Sequence, residues 1–352
     1  MSKLNIGIIG AGSVAEAHLK AYQANEGANL YAVADLNEAR ARATADKYGM
    51  DKFFADYREL LADPKIDAVS ICTWNNLHAE MSIAALRAGK HVLLEKPLSR
   101  TVEEAERIRD AVRESGKILQ VGFVRRYDEN AQIMRQFIEK GELGEIYYAK
   151  ASWLRRLGNP GGWFADVERA GGGPLIDIGV HMIDLCWYLM GRPKPVAVSG
   201  NVYNKLGNRA NVEHLSFYKT ADYNAAINTV EDMANALIRF ENGASLMVDV
   251  SFTIHAKQDE FYVKLFGDKG GAEVEPSMVM VSEKHNTILN IFPQTDSTTF
   301  HSASGFKREI AHFIDCCRDG TTPISPVDDG VEMMKILRGV YESAEKGTEI
   351  RL

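Results

Sequence analysis

The sequence predicts an α/β protein with two domains, a doubly wound parallel sheet followed by an α+β domain with a large, mostly antiparallel open sheet. In the first third, short apolar runs alternate with helical stretches, as in parallel sheets whose strands are buried on both faces. In the remainder, apolar and polar residues alternate along strands that hairpin turns connect. The chain has 352 residues, enough for two domains, which we place at 1–123 and 124–352.

Five short runs rich in Ile, Val and Leu are the predicted parallel strands. They are residues 4–9, 30–34, 68–73, 91–94 and 118–121. Helices are expected between them, one of them at residues 76–88. In another, Thr101 and Glu104 have the spacing of a capping box, and Gly116 closes the helix. Repeated β-α-β units of this kind form a doubly wound sheet.

The second domain is predicted from alternating strands and tight turns. The expected strands are residues 145–154, 196–205, 233–240, 244–252, 262–266, 271–275, 278–282 and 288–292. Glu241-Asn242-Gly243 contains Asn-Gly, which favours a hairpin, and residues 267–270 predict another. Two helices close the chain, one at residues 305–318 and one that opens at Ser325-Pro326.

Composition excludes several classes of function. Lys and Arg number 41 against 48 Asp and Glu, a formal charge of −7, which argues against a nucleic-acid-binding protein. No apolar run approaches the roughly 18–20 residues of a membrane helix. The cysteines and histidines lack metal-ligand spacing, so we expect no metal and no disulfide framework. The apolar segment after Lys3 mimics a secretion signal, but its glycines favour a strand and turn, and we expect a cytoplasmic protein.

A dinucleotide site is predicted directly after the first strand. Gly10-Ala11-Gly12-Ser13-Val14-Ala15 has the pattern G-x-G-x-x-G/A at the start of a helix, where glycines allow a tight turn and close approach of a pyrophosphate. Asp35 ends the second strand, where a carboxylate accepts hydrogen bonds from a ribose hydroxyl and repels a 2′-phosphate. NAD is therefore expected rather than NADP, although Arg40 could serve NADP. The alternative is that Asp35 only caps the following turn.

Glu95-Lys96-Pro97 is the first candidate for the reactive end. It follows the 91–94 strand, and ligands of doubly wound sheets lie at the carboxyl ends of the strands. A lysine there can polarise an alcohol or carbonyl oxygen. The alternative is a surface lysine in a turn.

The second candidate is an apolar helix, residues 175–190, that follows three glycines at 171–173. Its polar residues Asp177, His181, Asp184 and Tyr188 are spaced 4, 3 and 4 apart, so they share one stripe. A buried Asp–His stripe must be internally paired or meet a polar ligand. His181 could take a hydroxyl proton, with Asp177 one turn away to orient it. The alternatives are a solvated edge or an internal Asp–His pair.

These segments together resemble the Gfo/Idh/MocA oxidoreductases, the glucose–fructose oxidoreductase and inositol dehydrogenase family. The resemblance covers nearly the whole chain. The matching segments are residues 10–15, 72–78, 88–97, 122–127 and 171–181. It implies a Rossmann domain that binds NAD(P) at 1–123, and a substrate-binding and oligomerisation domain at 124–352. It also implies a catalytic set of Lys96, Asp177 and His181, and a homodimer or homotetramer formed through the open sheet.

The expected site includes groups for the cofactor and for a polyol substrate with aromatic walls. The cofactor-binding residues are expected to be Gly10, Gly12, Ser13, Val14, Asp35, Arg40, Thr73, Trp74, Asn75, His78, Glu95 and Lys96. The substrate-binding residues are expected to be Lys96, Arg126, Trp153, Arg155, Trp163, Asp177, His181, Tyr223, Asn228 and His255. Two positions depart from the family pattern: Trp74 replaces a frequent Pro, and Phe164 follows Trp163 where Arg is common.

The resemblance implies an NAD-dependent dehydrogenase. We expect it to oxidise a secondary hydroxyl of a sugar, sugar derivative or cyclitol, or to reduce the ketone, by hydride transfer. One alternative is a glycosidase that uses bound NAD to oxidise its sugar transiently. Another is a non-catalytic NAD-binding regulator, which retention of Lys96, Asp177 and His181 disfavours.

Overall fold

The computed structural model describes residues 3–220, 222–297 and 299–352, which form two compact units. The first contains Met1–Tyr127 and Ser302–Met334, and the second Asp128–His301 and Lys335–Leu352. Residues 302–334, which the sequence analysis assigned to the second domain, therefore belong to the first unit. The reason is that Ile310, Phe313 and Ile314 join the core beside the first strand. The predicted boundary between residues 123 and 124 itself stays a prediction.

The first unit has a parallel six-stranded sheet. Its strands are β1 Leu4–Ile9, β2 Ala28–Ala34, β3 Lys52–Phe54, β4 Ala68–Ile71, β5 His91–Glu95 and β6 Leu119–Gly122. The order β3-β2-β1-β4-β5-β6 is that of a Rossmann sheet, so the predicted doubly wound fold is confirmed. The sequence analysis missed β3, which has three residues, too few to show a periodic pattern.

The second unit has a nine-stranded sheet. Its strands are β7 Ile146–Leu154, β8 Pro195–Tyr203, β9 Met233–Phe240, β10 Ser245–Ser251, β11 Glu260–Gly267, β12 Gly270–Glu275, β13 Val279–Lys284, β14 Thr287–Ile291 and β15 Ile350–Arg351. Their order is β14-β13-β12-β11-β7-β10-β9-β8-β15, and all pairs are antiparallel except β7 with β10. The predicted mostly antiparallel sheet and both predicted hairpins are confirmed.

Ten α-helices lie within the described ranges. They are α1 Ser13–Gln23, α2 Glu38–Tyr48, α3 Tyr57–Ala62, α4 His78–Arg87, α5 Val102–Ser115, α6 Glu129–Glu139, α7 Val167–Ala170, α8 Val180–Leu189, α9 Ser302–Asp319 and α10 Val327–Lys346. α5 begins and ends as predicted: the Thr101 hydroxyl accepts a hydrogen bond from the Glu104 N–H at 3.1 Å, and Gly116 has φ +65°. A π-helix, Leu175–Gly179, directly precedes α8.

Helix α8 packs on one face of the nine-stranded sheet, against β7, β10 and β11. The other face of that sheet is open. Met247, Phe266 and Val281 lie on that face and are between 37% and 46% exposed. The strand residue directly before each of them is buried. The second unit thus has two layers, and the far sheet face has exposed apolar side chains together with charged ones such as Lys150 and Lys264.

Candidate active site

The turn after β1 fits the phosphates of a dinucleotide. Gly10 has φ +88°, and a Cβ there would lie 2.7 Å from the Cys72 carbonyl oxygen, so the position requires glycine. Gly12 is exposed, and no heavy atom of the described residues lies within 4 Å of a Cβ built on it. α1 begins at exposed Ser13, next to half-buried Val14, without a side-chain cap. The helix start can therefore bind a pyrophosphate through backbone N–H groups.

Asp35 is fixed at the end of β2. Its oxygens accept hydrogen bonds from the Ala11 and Asn37 N–H groups, each at 2.8 Å, and from Arg40 Nε and Nη2 at 3.0 and 2.7 Å. The carboxylate is 7% exposed, whereas the Arg40 side chain is 53% exposed. The Asn37 bond is the turn contact that the alternative interpretation expected. The bidentate Arg40 pair adds a cation where a ribose or its phosphate would bind.

Lys96 is the only residue between positions 92 and 99 that is not buried. Its backbone N–H donates to Oε2 of Glu95 at 3.2 Å, and Glu95 is 7% exposed. The buried Glu95 carboxylate therefore fixes the backbone of Lys96. Glu95 has little surface left for a nicotinamide, so its predicted contact with the cofactor is at most small.

His78 was predicted to line the cofactor, and this is corrected because its side chain is fully buried. Its Nδ1 lies 2.7 Å from the Pro97 carbonyl oxygen and its Nε2 3.3 Å from that of Thr73. Burial lowers the pKa of His78, and its two ring contacts link the turns after β4 and β5. Thr73 is half-buried, Trp74 is 38% exposed and Asn75 is 5% exposed. Their cofactor contacts stay predictions.

His18, which the sequence analysis set aside, is a component of this region. Its fully buried ring places Nε2 2.8 Å from Oε1 of Glu95 and Nδ1 3.3 Å from the Ser70 hydroxyl, which the Tyr22 hydroxyl contacts at 2.8 Å. Burial lowers the pKa of His18, but the Cys72 thiol and the Glu95 carboxylate raise it well above its usual value. The nearby Glu95 carboxyl thus favours the protonated form of His18 in this buried pair. A histidine on the buried face of an amphipathic helix was the available signal.

Glu309 is a second residue next to this pair that the sequence did not predict, and it is an acid. It is fully buried on α9, and neither carboxyl oxygen has a hydrogen-bond partner among the described residues. Burial raises the pKa of Glu309 well above its usual value, and the charge of Glu95 raises it further, against the opposing effect of His18. Glu309, with its raised pKa, therefore lies beside the hydrogen-bonded pair of Glu95 and His18.

The second half of the predicted catalytic set lies on the helix after the three glycines. From residue 172 to residue 189 every residue is buried except Asp177 and His181. Asp177 lies in the π-helix and His181 in the first turn of α8. Asp177 and His181 are thus the two residues of this otherwise buried segment that keep accessible surface, which a polar ligand would need.

The predicted polar stripe is only half correct. Asp184 is 1% exposed and Tyr188 is 4% exposed, because α8 is buried around its whole circumference from residue 182 to residue 189. The Tyr188 ring lies under the guanidinium groups of Arg135 and Arg192, at 5.0 and 5.3 Å. Asp184 and Tyr188 therefore belong to the packing of the second unit and not to its exposed polar pair.

Arg155, in the loop after β7, is a cation that the charge of Asp177 influences, and it packs on Trp153 of β7. The Arg155 guanidinium lies 4.9 Å from the Trp153 ring, which contacts Phe261 edge-on at 5.0 Å. Burial lowers the pKa of Arg155, while the negative charge of Asp177 acts in the opposite direction. A cation on an aromatic wall therefore lies within electrostatic reach of Asp177, as the predicted sugar site requires.

Arg126 was predicted to contact substrate, and the structure corrects this. Its side chain has no exposed surface. Nη1 lies 2.5 Å from Oδ2 of Asp329 and donates to the Ile324 carbonyl oxygen at 2.8 Å, and the Phe123 ring is 5.1 Å away. Arg126 is the cation of a buried ion pair within the first unit, so it is not available to a ligand.

The other substrate candidates lie on loops of the second unit. Trp163 is half-buried and stacks on Phe164 at 3.9 Å, and the Tyr223 ring packs onto Gly161. Asn228 accepts from the Asn159 amide at 3.0 Å and donates to the Val230 carbonyl oxygen at 2.8 Å, so it supports the loop. His255 is exposed. Trp163, Tyr223 and His255 stay candidates, and Asn228 already has structural partners.

Within the described ranges of the chain, no group of three or more His, Cys, Asp or Glu side chains has the arrangement of a metal site. None of the helices within the same ranges has the length and apolar character that crossing a bilayer demands.

Two family models together match almost all of the chain. A model described as an oxidoreductase family, NAD-binding Rossmann fold, matches residues 4–123, and its C-terminal alpha/beta domain matches residues 135–352. The chain belongs to the Gfo/Idh/MocA oxidoreductase family. The resemblance inferred from the sequence is confirmed.

Relatives with named activities are similar over their full lengths. D-glucoside 3-dehydrogenase of Escherichia coli (strain K12) is 33% identical over 100% of this chain and 98% of the relative. The scyllo-inositol 2-dehydrogenase (NAD(+)) of Bacillus subtilis (strain 168) is 30% identical over 98% and 95%. A levoglucosan dehydrogenase solved with NADH and L-sorbose has a TM-score of 0.87 at 25% identity, over 100% and 99%. This member of the family is an NAD(P)-dependent dehydrogenase that acts on CH–OH groups.

Proposed function

We propose that the protein oxidises a secondary hydroxyl of a sugar, sugar derivative or cyclitol with NAD, or reduces the corresponding ketone. The observation that supports this most is the exposure of Asp177 and His181 alone in the buried segment from 172 to 189. The named relatives act on a glucoside, an inositol and levoglucosan, and each of these is a ring with secondary hydroxyls.

Lys96, Asp177 and His181 are proposed to act on one hydroxyl. NAD, when bound, would supply the hydride acceptor for the carbon that bears this hydroxyl. His181 takes the hydroxyl proton as general base, and Lys96 stabilises the negative charge that develops on the oxygen. Asp177 orients His181 and binds a neighbouring hydroxyl, with the Arg155 cation nearby. Trp153 supplies an aromatic wall for the ring face.

The test is a panel of cyclitols, aldoses, sugar acids and glycosides, assayed for NADH formation. With the best substrate, His181→Asn is expected to lower kcat by about 10²–10⁴-fold while NADH still binds, because only the proton acceptor is removed. His285→Asn is the matched control, since His285 lies in the β13–β14 turn with φ +53°, a conformation that Asn tolerates. Full activity of His181→Asn would remove His181 from the mechanism.

The same panel separates the alternative functions. Consumption of a glycoside without net NADH formation would favour the glycosidase with transient redox. NAD binding with no turnover of any compound would favour the non-catalytic regulator. Steady NADH formation supports the dehydrogenase.

NAD rather than NADP is proposed as the cofactor. The support is Asp35, whose carboxylate is held at the end of β2 by two backbone N–H groups. A 2′-phosphate would approach this fixed negative charge, which is unfavourable. Arg40 is the one nearby cation paired with that carboxylate in the described residues.

A homodimer or homotetramer through the open sheet face is also proposed. The support is the exposed apolar surface at Met247, Phe266 and Val281 on that face. Light scattering coupled to size-exclusion chromatography tests it: Phe266→Glu is expected to yield monomers, because a charge there is desolvated in the interface. A wild-type monomer at micromolar concentration would refute it.

The cytoplasmic location also stays a proposal, supported by four free thiols among the described residues.

A further inference from the structure

Glu231 is a buried acid that the proposed mechanism does not use. It lies two residues before β9 and is 5% exposed. Its Oε2 accepts a hydrogen bond from the Gly173 N–H at 2.8 Å, and its Oε1 accepts from the Leu175 N–H at 3.1 Å. The Tyr341 hydroxyl on α10 donates to the same Oε1 at 2.8 Å. Three donors therefore converge on one carboxylate.

The two backbone donors belong to the start of the segment that contains Asp177. Pro174 has no N–H, so both backbone donors of residues 173–175 end on Glu231. The Asp177 N–H donates to the Gly173 carbonyl oxygen at 3.0 Å. This bond connects the turn at residues 173–175, which Glu231 holds, directly to Asp177. A carboxylate at this position satisfies donors that a helix start leaves unpaired and is favoured by the helix dipole.

The glycines at 172 and 173 are explained by the same contacts. A Cβ on Gly172 would lie 2.0 Å from the Tyr341 hydroxyl oxygen, and one on Gly173 would lie 2.3 Å from the backbone oxygen of Glu231. Neither position tolerates a side chain unless the turn moves. The turn therefore has glycine because Glu231 and Tyr341 press directly against its backbone.

A π-helix needs such support. Leu175–Gly179 makes wide turns that are less favourable than α-helical ones and that often occur at functional sites. Arg338, one turn before Tyr341 on α10, also donates to the Gly171 carbonyl oxygen at 3.4 Å. Contacts from α10 and from Glu231 thus hold the chain from 171 to 175.

We propose that Glu231 and Tyr341 are positioning residues that fix the orientation of Asp177 and His181 through this turn. The inference rests on the proposed function only in that Asp177 and His181 are the groups that react. Tyr341→Phe removes one hydroxyl and leaves the ring packing in place. Glu231→Gln places an amide N–H against one of the two backbone donors, so it perturbs the turn more.

The experiment compares these variants of the full chain with Ser343→Ala. Ser343 lies on the same helix and is 2% exposed; its hydroxyl accepts from the Gly200 N–H at 3.0 Å and donates to the Thr348 carbonyl oxygen at 2.6 Å, away from the glycine turn. Tyr341→Phe is expected to lower kcat about 10–100-fold with an unchanged KM for NAD, because small misplacement of reacting groups is costly. Ser343→Ala is expected to lower Tm and leave kcat unchanged.

A spectroscopic readout separates this proposal from the proposed function. The imidazole signals of His181, assigned by their loss in His181→Asn, are expected to shift in Tyr341→Phe and not in Ser343→Ala. This measurement needs no substrate, so it still decides if no sugar or cyclitol is turned over. Wild-type kcat and unmoved His181 signals in folded Tyr341→Phe would overturn the proposal, whatever its Tm. If Glu231→Gln does not fold, Tyr341→Phe alone decides.

Discussion

Replacing Glu309 by Gln tests the buried charge cluster of the first unit. Glu309 is fully buried, neither carboxyl oxygen has a hydrogen-bond partner among the described residues, and Glu95 lies close enough to raise its pKa. Gln has nearly the same shape but cannot ionise. Glu309→Gln is therefore expected to fold normally and to differ from the wild type mainly in the pH dependence of stability.

The sign follows from proton linkage. The pKa of Glu309 is raised above its ordinary value of 4.5, so between those two values the native state holds a proton that the unfolded state has lost. Wild-type stability therefore falls by about 1.4 kcal/mol per pH unit in this window because of this group. The Gln variant lacks that slope. His18 contributes in both proteins, so its effect largely cancels in the comparison.

The assay is urea unfolding of both proteins at about pH 5.5 and about pH 7.5. The free energy of unfolding of Glu309→Gln minus that of the wild type is expected to rise by up to about 2.7 kcal/mol between them. Asp315→Asn, an exposed acid on the same helix, measures the effect of removing a surface carboxylate. An equal difference at both pH values would mean that Glu309 is ionised in the native state, and the assignment of a neutral buried acid would then be wrong.

Three further predictions concern the first unit. Arg40→Ala is expected to raise the preference for NAD over NADP about tenfold or more, since it removes the cation paired with Asp35, and steady-state kinetics with both cofactors measures this. Gly10→Ala should cost more than about 1–2 kcal/mol in thermal unfolding, since φ is +88° and a carbonyl oxygen lies 2.7 Å from the new Cβ; an unchanged Tm would contradict it. Arg126→Met should destabilise by about 3–5 kcal/mol because it removes the cation of a buried ion pair and leaves the Asp329 carboxylate without that cation, and the double variant with Asp329→Leu should recover part of that loss.

The fold could be predicted because its determinants are local in sequence. Buried parallel strands are continuous apolar runs, and Asn242-Gly243 specifies its own turn. The miss at β3 and the placement of residues 302–334 have a common cause. A three-residue strand and the docking of a late helix depend on tertiary contacts, such as those of Ile310 and Phe313, that no local pattern encodes.

The candidate site was predictable where a residue type is unusual for its position. Lys96 after an apolar strand and Asp177 with His181 in an apolar helix are conspicuous, and all three keep exposed surface. The predictions for Arg126 and His78 were wrong because the sequence around a polar residue does not distinguish a buried side chain from one that binds a ligand. Only their partners, Asp329 and the Pro97 carbonyl oxygen, distinguish the two cases.

The two units support their exposed polar groups in the same way. In the first unit, Glu95 accepts the backbone N–H of Lys96; in the second, Glu231 accepts that of Leu175, two residues before Asp177. A buried carboxylate bound to backbone N–H groups fixes the backbone, and a fixed backbone in turn restricts the direction of the nearby Lys96 or Asp177 side chain. Each carboxylate is in turn hydrogen-bonded by a ring side chain, the buried His18 or the half-buried Tyr341. If this support is what orients the reacting groups, Tyr341→Phe must lower kcat more than its effect on Tm accounts for, whereas support that serves only folding would make the two losses run in parallel.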